Sequence, residues 1–132
     1  MKILLDTHVW LWWAVTPEKL PAATLSVLKN PDNVVYFSAA SAWEITIKSA
    51  LGKLTLPAAP ATFIPRQLVL DNMLSLPVTV AHALRVYELP PHHHDPFDRL
   101  LIAQAQVEKL PLLTFDSQLD AYVFPRPLFP RD

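Results

Sequence analysis

Four acidic side chains stand where this apolar chain changes character. Asp6 directly follows the run Ile3-Leu4-Leu5, Glu44 closes Ser41-Ala42-Trp43-Glu44, Asp98 closes Asp95-Pro96-Phe97-Asp98, and Asp116 closes Leu113-Thr114-Phe115-Asp116. Acids at element junctions are free to project from one edge of a fold. If the fold gathers them, they repel: two carboxylates ~4 Å apart interact by about 4 kcal/mol at an effective dielectric near 20, so a cluster implies shared protons or a bound cation. With no cysteine in the chain, thiolate ligands are excluded. Oxygen ligands alone suit Mg2+ or Mn2+.

Each acid also has a local explanation. Ser41 to Glu44 matches a capping box, in which Glu44 bonds back to the helix start, although Ser38 is an equally good cap that would begin the helix earlier and free Glu44. Asp95-Pro96 suits an N-cap followed by proline at the first helical position, and Asp98 then gains from the positive helix end. Asp116 could cap a short segment from Ser117 to Tyr122. Asp6 has the weakest such alternative, because an acid between an apolar strand and an apolar helix is costly without a partner.

Other groups play smaller expected parts. Thr7 and Thr114 adjoin acids and could orient carboxylates. Lys48 lies four residues after Glu44, the spacing of a helix ion pair that could also present an ammonium to phosphate. Arg99 is a second candidate for substrate phosphate. The run His92-His93-His94 is expected to be a solvated loop, since adjacent residues rarely aim at one ion. Trp10, Trp12, Trp13 and Trp43 are expected to fill a core or a protein interface rather than stack bases.

The elements that must position these residues follow from apolar runs and proline punctuation. Ile3 to Leu5, Val34 to Phe37, Leu74 to Leu76 and Leu112 to Phe115 suit strands buried on both faces. Helical stretches run from about His8 to Ala14, Ala22 to Leu28, Ala39 to Leu51, Ala61 to Val69, Ala81 to Glu88 and Pro96 to Glu108. Gly52, the single glycine among fourteen prolines, falls where a helix takes a left-handed cap. Such alternation predicts an α/β fold around a mainly parallel sheet, whose ligands collect beyond the carboxyl ends of the strands. Asp6 and Asp116 would project there.

The 132 residues suit one domain, 1–132, and 52% hydrophobic against 17% charged residues excludes disorder. Part of the apolar surplus is expected to face a partner. A net charge of -1 gives no global attraction to nucleic acid. No apolar run approaches the length of a membrane span, and Asp6 and His8 interrupt the only segment resembling a secretory start, so a cytoplasmic protein is expected.

Taken in order, Met1 to His8, Ser38 to Ile45 with Lys48 and Leu51 to Leu54, His94 to Arg99 with Ala103 and Ala105, and Leu113 to Asp116 resemble the PIN-domain nucleases. The likeness is greatest to the VapC-type toxins of bacterial toxin–antitoxin pairs. It implies a three-layer α/β/α fold in which Asp6, Glu44, Asp98 and Asp116 form the catalytic acids. Asp6, Asp98 and Asp116 are then expected to hold Mg2+ or Mn2+, supported by Thr7 and Thr114. The activity implied is hydrolysis of RNA phosphodiester bonds to a 5′-phosphate and a 3′-hydroxyl, and the partners implied are RNA, a cognate antitoxin and a second copy in a homodimer. Two other readings compete. An aspartate-nucleophile phosphatase would want a second Asp two residues after Asp6, where His8 stands. A non-catalytic protein-binding module would use the acids only as caps.

Overall fold

The computed structural model describes residues 1–92 and 95–121. Among these residues four strands form one sheet: β1 (Lys2–Leu5), β2 (Val34–Ser38), β3 (Leu74–Leu76) and β4 (Leu112–Leu113), in the order β3-β2-β1-β4 with every pair parallel. Six α-helices are described: α1 (Thr7–Val15), α2 (Ala22–Lys29), α3 (Ala39–Ala50), α4 (Pro60–Leu70), α5 (Val80–Arg85) and α6 (Pro96–Glu108). None is long and apolar enough to cross a membrane.

Alternation within the strands divides the interior into two cores. Ile3, Leu5, Val35, Phe37 and Leu113 face one side, where they pack with Trp10 and Trp13 of α1, Leu28 of α2, Ile45 of α3 and Phe63 and Ile64 of α4. Leu4, Leu76 and Leu112 face the other side against Leu101, Ile102 and Ala105 of α6, with Tyr36 at the margin. The expected α/β/α layering is therefore observed. The apolar centres of β1 and β2, Ile3 to Leu5 and Val34 to Phe37, suit a sheet covered on both faces.

Chain order and sheet order diverge at one point. The chain steps from β1 to β2 to β3 in one direction, then returns through α6 to place β4 on the far side of β1. The crevice beyond the carboxyl ends of β1 and β4 is thus the topological switch point, the usual ligand position in open α/β sheets. Asp6 leaves β1 there, and its backbone N–H donates to Leu113 O at 3.0 Å.

Helix ends account for most boundary differences from the sequence pattern. After α3, Gly52 takes φ +74°, Lys53 N–H donates to Lys48 O, and Gly52 N–H donates to Ser49 O, a Schellman end. Asn72 and Lys109 occupy the same left-handed region after α4 and α6. Nothing lies within 4 Å of a Cβ built on Gly52, so Gly52→Ala should lose about 1 kcal/mol from backbone strain alone. A denaturant midpoint unchanged from wild type would refute this. The single helix expected over Ala81 to Glu88 instead tightens into a 3-10 turn at Val86–Glu88. The Arg99 guanidinium donates to the carbonyls of Val86, Leu89 and Pro90, satisfying acceptors that a continuing helix would have used.

Candidate active site

Asp6, Glu44, Asp98 and Asp116 line one cleft of about 390 Å³ at the switch point, together with Thr7, Lys48 and Asp95. Asp6 occupies the N-cap position of α1, yet its side chain makes no capping bond. Its Oδ2 instead accepts from Thr114 Oγ1 at 2.7 Å, and the same hydroxyl oxygen accepts from Asp116 N–H at 3.0 Å. Thr114, fully buried directly after β4, ties the first acid to the last. Across the cleft Thr7 Oγ1 and Ser41 Oγ share a hydrogen bond of 2.7 Å, joining the first turns of α1 and α3.

Glu44 is not a capping-box residue. Ser38 caps α3, its Oγ accepting from Ala40 N–H at 3.0 Å and donating to Gln104 Oε1 of α6 at 2.5 Å. Released from capping, Glu44 is only 6% exposed. Its Oε2 accepts from Lys48 Nζ at 2.5 Å, while its Oε1 is buried with no partner among the described residues. Lys48 thus forms the helix ion pair while also lining the cleft. The bond to Glu44 raises the Lys48 pKa, burial opposes that, and the nearby charges of Glu44, Asp95 and Asp98 raise it further.

Asp95 is the N-cap of α6, accepting from the N–H groups of Phe97 and Asp98. That bond fixes the first turn from which Asp98 enters the cleft. Asp116 Oδ1 accepts from Gln118 N–H at 2.9 Å, so this acid does cap the 3-10 turn Ser117–Ala121 while lining the cleft. Tyr122, expected in that segment, lies outside the described residues, as do His93 and His94; His92 is exposed. Arg99, expected near phosphate, departs from that expectation: it does not line the cleft and holds the Val86 to Pro90 carbonyls instead.

Electrostatic stress concentrates on Asp6. Burial pushes its carboxyl pKa up, the Thr114 hydrogen bond pulls it down, and the charges of Glu44 and Asp116 push it up again, with His8 acting the other way. Among the described residues, no three His, Asp or Glu side chains already converge on one point as ion ligands. The donor set nevertheless fits a hard cation: an unpartnered buried oxygen on Glu44 and a desolvated, repelled Asp6 both gain from positive charge.

The cleft also has an apolar wall. Trp12 and Phe115 lie on it with ring centroids 6.0 Å apart, and exposed His8 meets Trp12 edge-on at 4.8 Å. Sequence reasoning overlooked Phe115, as well as the contacts of Ser41 and Gln104. A signal existed for Gln104, which interrupts the otherwise apolar face Leu101, Ile102, Ala105 of α6 and is fully buried.

A family model for the PIN domain matches residues 3–125. The chain belongs to the PIN-domain family. This PIN domain is 29% identical over 127 residues to Ribonuclease VapC22 of Mycobacterium tuberculosis, covering 96% of the present chain and 95% of the relative. In fold it is similar to a chain of the crystal structure of VapBC2 from Rickettsia felis bound to a DNA fragment from their promoter. The TM-score there is 0.73 at 14% identity, over 96% of this chain and 97% of the other. A chain of the DNA-bound VapBC structure from Salmonella typhimurium gives a TM-score of 0.68, also at 14% identity, with 96% of each chain covered. At that identity the likeness establishes the fold.

Proposed function

We propose that this PIN domain is a divalent-metal-dependent endoribonuclease and the toxin of a toxin–antitoxin pair. The observation that carries this reading is the gathering of four acids from four separate segments into one cleft at the sheet's switch point. Similarity to a protein named a ribonuclease across nearly the whole of both chains supports the activity. Fold similarity to chains of two VapBC structures supports an antitoxin partner.

Asp6, Asp98 and Asp116 would hold Mg2+ or Mn2+. When bound, such an ion supplies Lewis acidity and neutralises charge on a phosphodiester under attack. Thr114 keeps Asp6 Oδ2 oriented through its hydroxyl, and Asp116 is fixed through its own backbone bond to the same oxygen. Glu44 Oε1, which has no partner among the described residues, takes the proton of the attacking water, while Lys48 holds Oε2 and so sets the direction of Oε1. Water adds to phosphorus, the P–O3′ bond breaks and the leaving 3′-oxygen takes a proton from solvent, giving a 5′-phosphate and a 3′-hydroxyl.

The test is cleavage-site mapping on total cellular RNA with Mg2+, with Mn2+ and after chelation. Discrete cuts bearing 5′-phosphates, present only with the ion, are expected. Ion-independent cleavage would overturn the metal assignment, and absence of cleavage under all conditions would overturn the nuclease. Expression alone should arrest growth, and co-expression of a small protein encoded beside it should relieve the arrest. Harmless expression would remove the toxin role without touching the chemistry. The homodimer expected from the family is checked by light scattering of the purified chain.

A further inference from the structure

The tryptophans are expected to fill a core or a protein interface, and Trp43 is the one found among the exposed large hydrophobic residues. Trp10 and Trp13 are buried, whereas Trp43 is 62% exposed on α3. Its ring meets Phe97, near the start of α6, in an edge contact with centroids 5.3 Å apart and planes at 73°. Trp43 immediately precedes Glu44, and Phe97 immediately precedes Asp98; both of those acids line the cleft, while Trp43 and Phe97 do not. The pair therefore stands beside the acids, outside the cleft wall formed by Trp12 and Phe115.

The charge of the cleft makes such a platform useful. Among the described residues, Lys48 is the only lysine or arginine lining it, against five carboxylates, and its ammonium is paired with Glu44. These side chains draw a polyanion weakly by charge, so contacts that do not depend on charge would add to the attraction a bound cation supplies. Base–aromatic stacking is one, and it is indifferent to base identity. Stacking also requires a base that is not already paired, which selects single strands.

We propose that Trp43, braced by Phe97, is a nucleobase-stacking subsite that receives one unpaired base of single-stranded RNA beside the scissile phosphate. This deepens the ribonuclease reading and rests on it. Trp43 is a substrate-contacting residue here and takes no part in proton transfer.

Binding of single-stranded oligoribonucleotides to the full-length Asp6→Asn protein with Mg2+ tests it, with a single abasic residue moved stepwise along the strand. Adding Trp43→Ala should weaken binding about tenfold, within the range seen when an aromatic stack is deleted. Trp43→Tyr should recover most of the loss, and Trp43→Leu, which keeps apolar bulk but has no π face, should not. One abasic position should weaken binding to the Asp6→Asn protein by a similar factor and have no further effect once Trp43 is Ala. Unchanged binding by the Trp43→Ala protein, recovery by Leu, or equal sensitivity to abasic residues with and without Trp43 would each overturn the subsite. Unchanged binding with an altered oligomeric state on gel filtration would assign Trp43 to a protein interface instead. Efficient RNA cleavage by the Asp6→Asn protein would count against the proposed chemistry while leaving the stacking result readable.

Discussion

Replacing Asp6 by Asn is expected to lower RNA cleavage by about two to three orders of magnitude, the scale on which active sites lose rate when an electrostatic stabiliser is removed. The same change should leave the fold intact and raise the melting temperature in metal-free buffer. Asn retains an oxygen that can accept from Thr114 Oγ1, so the 2.7 Å bond across the switch point survives. It removes a charge that burial, Glu44 and Asp116 all disfavour. The sign follows from proton linkage. Because the folded-state pKa of Asp6 is raised, the folded protein keeps a proton that the unfolded chain loses once pH passes the ordinary carboxylate value. The stabilisation contributed by protonated Asp6 is complete below that value and is lost as pH rises through the raised one. Melting curves should show that fall in the wild-type protein and a flatter profile for Asp6→Asn. Mn2+ should raise the wild-type midpoint and have little effect on the variant. A variant that melts well below wild type in metal-free buffer would refute this account, and one that cleaves normally would remove Asp6 from the site.

Trp10→Ala should be the most destabilising single truncation among those considered. The side chain is fully buried, with Phe37 at 4.7 Å and Phe63 at 6.1 Å between ring centroids, so it joins α1 to the sheet and to α4. Truncating a buried tryptophan costs about 3–5 kcal/mol, against a total domain stability of roughly 5–15 kcal/mol. The indole N–H has no partner among the described residues, so its removal recovers part of a desolvation penalty and places the expected value near the lower end of that range. Trp10→Phe should therefore lose much less than Ala, since it refills part of the cavity and deletes the unpartnered group. Urea unfolding of the three proteins checks the order. A loss below about 1 kcal/mol for Ala would mean the core closes over the cavity.

These two residues mark what the sequence could and could not disclose. Ile3-Leu4-Leu5 signalled a strand covered on both faces because no position in it is polar. Asp95-Pro96 marked the start of α6 because cap and proline act within one turn. The pairing of β4 with β1 had no local signal: Thr114 reaches Asp6 across 108 residues, and which strands become neighbours is decided by the packing of whole layers. Glu44 shows the same limit on a smaller scale. Its capping alternative fails because Ser38 caps α3 and is itself held by Gln104 from another helix. Arg99 shows it too, since the carbonyls to which it donates, those of Val86, Leu89 and Pro90, belong to a turn 9 to 13 residues earlier in the chain.

The bond between Thr114 and Asp6 also sets a time at which the site can exist. β1 is made before β4, so during synthesis Asp6 waits through 108 residues for the hydroxyl that orients it. A ribosome bearing only the segments through α5 has exposed Asp6 and Glu44 but neither Asp98 nor Asp116. The arrangement delays assembly of the four acids until translation of the domain is nearly finished.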